Sequence, residues 1–231
     1  MNRAIFITGT DTGIGKTMVS GLLAKYILGI GGSVITQKWI QTGSVPVGLS
    51  PDIKNHLEIM GKDENYIKGC SNDVTPYTFR FPASAHLASK IEGRVISEKK
   101  IIKSFKRLSS KFDRVIVEGT GGVLVPFNHK SLIIDLVGKL NLSVLLVAGN
   151  KLGSINHTLL SIEALKKRKL NILGIIFNNM PGENKVILED NCKIIKELSG
   201  EKVFGVLPWV KNLSQLYKNF SRFADKIIEG F

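Results

Sequence analysis

The stretch Arg3-Ala4-Ile5-Phe6-Ile7-Thr8-Gly9-Thr10-Asp11-Thr12-Gly13-Ile14-Gly15-Lys16-Thr17 decides how this chain folds. A short apolar run, rich in isoleucine, ends in a glycine-rich turn, and the helical pattern Thr17 to Leu28 follows directly. Glycines let a backbone curl until several N–H groups face one anion, and the helix N-terminus behind them adds a favourable dipole. Gly13, Ile14, Gly15 and Lys16 are therefore expected to bind the phosphates of a nucleoside triphosphate. Lys16 would reach the β- and γ-phosphates, and the Thr17 hydroxyl would hold Mg²⁺. The spacing departs from the standard phosphate loop: five residues rather than four separate Gly9 from Gly15, and Thr10 stands in place of the usual first glycine. The competing reading is a chance glycine turn, against which stands Gly15-Lys16-Thr17 at the mouth of a helix.

Outward from this loop, apolar runs alternate with amphipathic ones. Arg3 to Thr8, Ser33 to Gln37, Arg114 to Glu118, Ser143 to Ala148, Asn171 to Phe177 and Lys202 to Leu207 read as strands. Thr17 to Leu28, Asp52 to Met60, Ser97 to Leu108, Ile155 to Lys169, Asn184 to Leu198 and Ser214 to Ile228 read as helices. Runs such as Val144-Leu145-Leu146-Val147 are apolar on both faces, which implies a parallel sheet covered by helices on both sides. The expected fold is a doubly wound α/β domain of the P-loop NTPase type, with residues 1–231 as one domain.

Composition narrows the class. With 231 residues, 43% hydrophobic and 22% charged, the chain can bury a core and is not disordered. Cys70 and Cys192 are too few for a disulfide framework or a structural zinc site, so a reduced, cytoplasmic setting is expected. No apolar run reaches membrane-spanning length, and the N-terminal segment does not read as a secretory signal. The net charge of +13 invites a nucleic-acid or membrane reading. The lysines are scattered along helices and aromatics are only 7%, so the charge is read as a solvated surface on a protein of anionic ligands, with neither nucleic acid nor membrane as partner.

Ligands of such sheets sit beyond the carboxyl ends of the strands. Lys38 ends the second strand, where a fixed cation would neutralise an anion formed during reaction; a plain surface lysine is the alternative. Glu118 ends the third strand before Gly119-Thr120-Gly121-Gly122 and reads as a metal ligand or as a solvated acid. Asp52, in Ser50-Pro51-Asp52, suits a helix start as well as a metal shell. Thr12 and Thr42 would donate hydrogen bonds to the reacting anion. Asn178 suits a base-edge contact, because an amide both donates and accepts. His157 opens a helix and is expected to pack, and Asn179 is expected to be a turn residue.

These segments resemble the dethiobiotin synthetases, which close the ureido ring of dethiobiotin with ATP. The similarity is carried by Gly9-Thr10-Asp11-Thr12 with Gly15-Lys16-Thr17, by Gln37-Lys38-Trp39-Ile40-Gln41-Thr42-Gly43, and by Val117-Glu118-Gly119-Thr120-Gly121-Gly122. Lys151-Leu152-Gly153-Ser154-Ile155-Asn156-His157, Asn178 and Leu207-Pro208-Trp209 continue it, so it spans about Ile5 to Trp209. Trp39 replaces the family's proline after the lysine, and Gly13 stands where an acidic residue is common. The resemblance implies ATP contacts from Gly13, Ile14, Gly15, Lys16, Thr17, Glu118, Asn178 and Pro208, and a catalytic set of Lys16, Lys38 and Thr12. It also implies substrate contacts from Thr12, Lys38, Thr42, Gly121 and Asn156, and Mg²⁺ on Thr17, Asp52 and Glu118. The implied substrates are ATP, 7,8-diaminononanoate and CO₂, and the implied assembly is a homodimer.

Two other classes share the loop. A partitioning or cell-division switch ATPase would carry a lysine five residues before Lys16, where this chain has Asp11, and a basic amphipathic C-terminal helix, a character only weak in Ser214 to Phe231. A cobyrinate-type amidoligase would carry a glutaminase domain for which there is no room.

Overall fold

The computed structural model describes residues 3–45 and 48–231. Among them the elements run β1 (Ala4–Gly9), α1 (Lys16–Gly29), β2 (Val34–Lys38), β3 (Ile40–Gln41) and α2 (Pro51–Met60). A 3₁₀ turn (Glu64–Ile67) precedes α3 (Ser71–Val74), β4 (Tyr77–Thr78), α4 (Ala85–Ile91), α5 (Glu98–Ser109) and β5 (Arg114–Glu118). Then come α6 (Ile133–Lys139), β6 (Ser143–Asn150), α7 (Ser154–Lys167), β7 (Ile172–Asn179), α8 (Lys185–Ser199), β8 (Val203–Leu207) and α9 (Leu213–Ile228).

Six strands form one parallel sheet in the order β2-β5-β1-β6-β7-β8, and β3 pairs with β4 beside it. Period-two alternation sorts the strand residues between two cores. Ala4 and Phe6 of β1, Val115 and Val117 of β5, and Val144 and Leu146 of β6 pack with α5, α6, α7 and α8. Ile5 and Ile7, Ile116, and Leu145 and Val147 pack with α1 and α9 on the other face. β1, β5 and β6 are thus spent on both sides, and helical crossovers cover such a sheet. β1 lies between β5 and β6, so the chain leaves it for β2 on one side and later crosses to β6 on the other. The loop after β1 therefore opens at the switch point, where a doubly wound sheet leaves a crevice.

Two expectations change here. The helix near the C-terminus is sharply amphipathic: Leu216, Phe220, Phe223, Ala224 and Ile227 recur at helical spacing and are buried against the six-stranded sheet and α1. Its apolar face is consumed by the core. The short elements β3, β4, α3, α4 and α6 escaped the sequence pattern, because two to seven residues hold too few turns or alternations to show a period. No helix among the described residues is long and apolar enough to cross a membrane.

Candidate active site

Lys38 and Glu118 are register partners at the carboxyl ends of β2 and β5, so their side chains leave the same face of the sheet. Lys38 Nζ donates to Glu118 Oε1 (2.8 Å) and to the Gly119 carbonyl (2.9 Å), and pairs with Asp52 Oδ2 (2.8 Å). All three ammonium protons are thereby used. Burial alone would lower the Lys38 pKa, but the carboxylates of Glu118 and Asp52 outweigh it and hold the ammonium above its ordinary value. Trp39, the residue that departs from the family pattern, turns away from the cleft. It is buried beside Phe6, with ring centroids 5.4 Å apart, and its Nε1 donates to Gln37 Oε1 (2.9 Å).

Asp52 is brought in by α2, which starts on Ser50 as N-cap with Pro51 in the first turn. Thr17, the second residue of α1, donates to Glu118 Oε1 (3.1 Å) and lies 3.4 Å from Asp52 Oδ1. Glu118 is 2% exposed. Burial works against its charge, yet Lys38 and a hydrogen bond from His56 push its pKa down to about 2. Asp52 thus lies in the first turn of a helix, and the same placement brings its carboxylate into the cluster.

The phosphate loop lies against this cluster. Gly13 (φ +68°) and Gly15 (φ +99°) take left-handed backbone that side chains rarely adopt. Ile14 turns its side chain into the core, so only its backbone faces a ligand. Lys16 Nζ folds back onto the Asp11 carbonyl (2.5 Å). Burial, and then the charge of Lys38, lower its pKa to about 8. Asp11, where a switch ATPase has its signature lysine, accepts from the Thr12 backbone N–H (2.7 Å).

A cleft of about 210 Å³ gathers Thr12, Gly13, Gly15, Lys16, Thr17, Lys38, Thr42, Asp52, Glu118 and Gly121 from the sequence-derived set, and adds Gln41 and Thr120. Asn178 and Pro208 lie outside it, at the ends of β7 and β8, where Asn178 is in register with Leu207. Asn178 Nδ2 donates to the Ile14 carbonyl (2.9 Å), so part of the amide assigned to adenine anchors the phosphate loop. Asn156 is exposed on α7 and does not line the cleft. His157 is exposed too, which corrects the expected packing role: it points outward from the first turn of α7. Asn179 is a strand residue whose Oδ1 accepts from Asn150 (2.9 Å), not a turn residue. Sequence reasoning missed His56. Its signal was the four-residue step from Asp52, which puts both on one helix face.

The donor chemistry fits Mg²⁺. Among the described residues no three His, Cys, Asp or Glu side chains gather around a common metal position. A hydroxyl and two carboxylates converge instead, with the Lys38 cation already between the carboxylates. So sparse a set of hard oxygens leaves coordination positions for phosphate oxygens and water, which is the habit of Mg²⁺.

A family model described as an AAA domain matches residues 3–216. An ATP-dependent dethiobiotin synthetase of Clostridium perfringens is 35% identical over 221 residues, covering 93% of this chain and 94% of its own. One of Haemophilus influenzae is 43% identical over 156 residues, 67% of this chain and 79% of the relative. Among solved structures, the septum site-determining protein MinD of Pyrococcus horikoshii, complexed with Mg-ADP, matches with TM-score 0.58 at 18% identity, covering all of this chain and 94% of that one. The pNOB8 ParA structure matches with TM-score 0.58 at 15% identity, covering 100% and 98%. At that identity the structural likeness concerns the P-loop NTPase fold alone. The sequence relatives reach further, at 35% identity over 93% of the chain, and by them the chain belongs to the ATP-dependent dethiobiotin synthetases, ligases of biotin biosynthesis.

Proposed function

We propose that the chain closes the ureido ring of dethiobiotin from 7,8-diaminononanoate, CO₂ and ATP, with residues 1–231 acting as one synthetase domain in the cytoplasm. One amine of the substrate adds CO₂ to give a carbamate. The carbamate oxygen attacks the γ-phosphorus of ATP and ADP leaves. The second amine then attacks the carbonyl carbon of the mixed anhydride, and phosphate leaves as the five-membered urea closes. The observation that carries this reading is the convergence of two lysines, two carboxylates and Thr17 on one cleft.

Phosphoryl transfer of this kind needs positioning and charge neutralisation more than covalent help from the protein. Thr17, Asp52 and Glu118 would hold Mg²⁺, which when bound neutralises charge on the phosphates. Lys16 leaves the Asp11 carbonyl for the β- and γ-phosphates, and the glycine-loop N–H groups from Gly13 to Lys16 cradle them. Lys38 balances the carbamate and then the transferring phosphoryl group. Thr12, Thr42 and Gly121 line the substrate side and orient the two amines. Asn178 and Pro208 receive the adenine at the ends of β7 and β8.

The exposed Asn156, together with Leu152 at 75% exposure, supports a homodimer in which α7 of one subunit reaches its partner's substrate. Small molecules and a second copy are then the partners, with no role for nucleic acid or membrane. The test is phosphate release from ATP with Mg²⁺, with and without diaminononanoate and bicarbonate. Release that depends on both is expected; a folded protein without substrate-dependent release overturns the reading.

A further inference from the structure

We infer that His56 is a positioning residue that fixes which oxygen of Glu118 faces the cation site. This rests on the reading of Thr17, Asp52 and Glu118 as Mg²⁺ ligands. His56 is fully buried on α2, one turn beyond Asp52, and its Nε2 lies 2.7 Å from Glu118 Oε2. The other oxygen, Oε1, takes both Lys38 and Thr17. An ionised carboxylate only accepts hydrogen bonds, so Nε2 must carry the proton of this contact. His56 Nδ1 is buried without a hydrogen-bond partner among the described residues. A ring held for packing alone would not pair one nitrogen this closely with an acid while leaving the other bare; the imidazole is spent on Glu118.

The consequence is geometric. With Oε2 occupied, the carboxylate cannot rotate about its last bond or grip a cation with both oxygens, and Oε1 is presented alone beside Thr17 Oγ1 and Asp52 Oδ1. Because Asp52 and His56 share α2, one rigid helix sets both a ligand and the orientation of a second ligand. Small, strictly octahedral Mg²⁺ favours such single-oxygen donors, and outer hydrogen bonds of this type typically change metal affinity about 10- to 100-fold.

The test is calorimetric ADP binding across a Mg²⁺ titration, for the wild type, H56L and H56Q. H56L removes the donor and H56Q supplies an amide N–H in its place. We expect H56L to raise the half-saturating Mg²⁺ concentration about tenfold or more, with Mg²⁺-free ADP affinity unchanged, and H56Q to recover to within about threefold of wild type. A folded H56L whose titration overlays the wild type overturns the role, as does a folded H56Q as defective as H56L. If the wild type itself shows no Mg²⁺ dependence, the metal reading falls and this inference with it. A readout free of substitution covers misfolded variants: ¹⁵N–¹H spectra of histidine-labelled wild type should show the His56 proton on Nε2, and a proton on Nδ1 alone overturns the inference.

Discussion

Lys38 and Glu118 meet at 2.8 Å because β2 and β5 are paired in register, and that contact makes Lys38 the counter-ion of a carboxylate cluster as well as a candidate for charge on the substrate. Removing it should therefore have two effects. K38A is expected to bind ATP but to lose diaminononanoate-dependent phosphate release by roughly a hundredfold or more, the scale of a lost electrostatic contact to a reacting group. It also leaves Asp52 and Glu118 facing each other without their cation, so its melting temperature should become more dependent on Mg²⁺ than that of the wild type. Turnover within a few-fold of wild type would remove Lys38 from the reaction.

Lys16 gives a pH signature. Its pKa of about 8 in the free protein means that folding disfavours the ammonium; the penalty is present below pH 8 and is relieved as pH rises from there toward the ordinary value of 10.5. Bound phosphate favours the ammonium, so above about pH 8 ATP binding must take up a proton. ATP affinity should be flat near neutral pH and fall by up to about tenfold per unit above pH 8.5. K16R, which stays charged, should bind with a flatter profile. A wild-type profile as flat as that of K16R between pH 7 and 10 would contradict the assignment.

Two glycines of the same loop separate strain from contact. A Cβ at Gly13 meets open space, and φ +68° alone opposes it. At Gly15, φ +99° is joined by collision with the Asn178 amide that braces the loop. G13A should cost about 1 kcal/mol of stability, and G15A more, on the order of 1–3 kcal/mol for strain before the clash is counted. G15A should also weaken ATP binding more than G13A. Equal melting temperatures and equal ATP affinities for the two variants would show that Asn178 gives way freely.

Asn156 tests assembly. N156A is expected to be dimeric and to bind diaminononanoate poorly, and mixing it with K16A should restore part of the activity, since a mixed dimer then holds one site with both groups intact. Light scattering and a mixing assay check this. A monomer at working concentration, or mixed dimers without recovery, count against a shared site.

Much of this is readable in the sequence. Several of the main strands, such as Val144-Leu145-Leu146-Val147, are apolar on both faces, a pattern that calls for helices on both sides, and the glycine loop opens where such a sheet divides. The short elements were not readable: β3 and β4 are two residues each and exist because the fold brings them side by side to pair with each other. The C-terminal helix hides its amphipathic character for a related reason. Its lysines and arginine mask an apolar face that becomes plain only when the sheet lies beneath it.

The linear order of residues determined the fold class, the phosphate loop and the chemical types required at the strand ends, because period, glycine placement and local spacing are properties of neighbours in the chain. What met what was decided by tertiary structure. Asp52 and His56 lie on α2, Lys38 and Glu118 end two strands far apart in the chain, and only the packing of α2 beside the ends of β2 and β5 joins them into one hydrogen-bonded cluster. Charge, burial and the pKa of each group depend on distances through space, and those distances exist only once the sheet has formed.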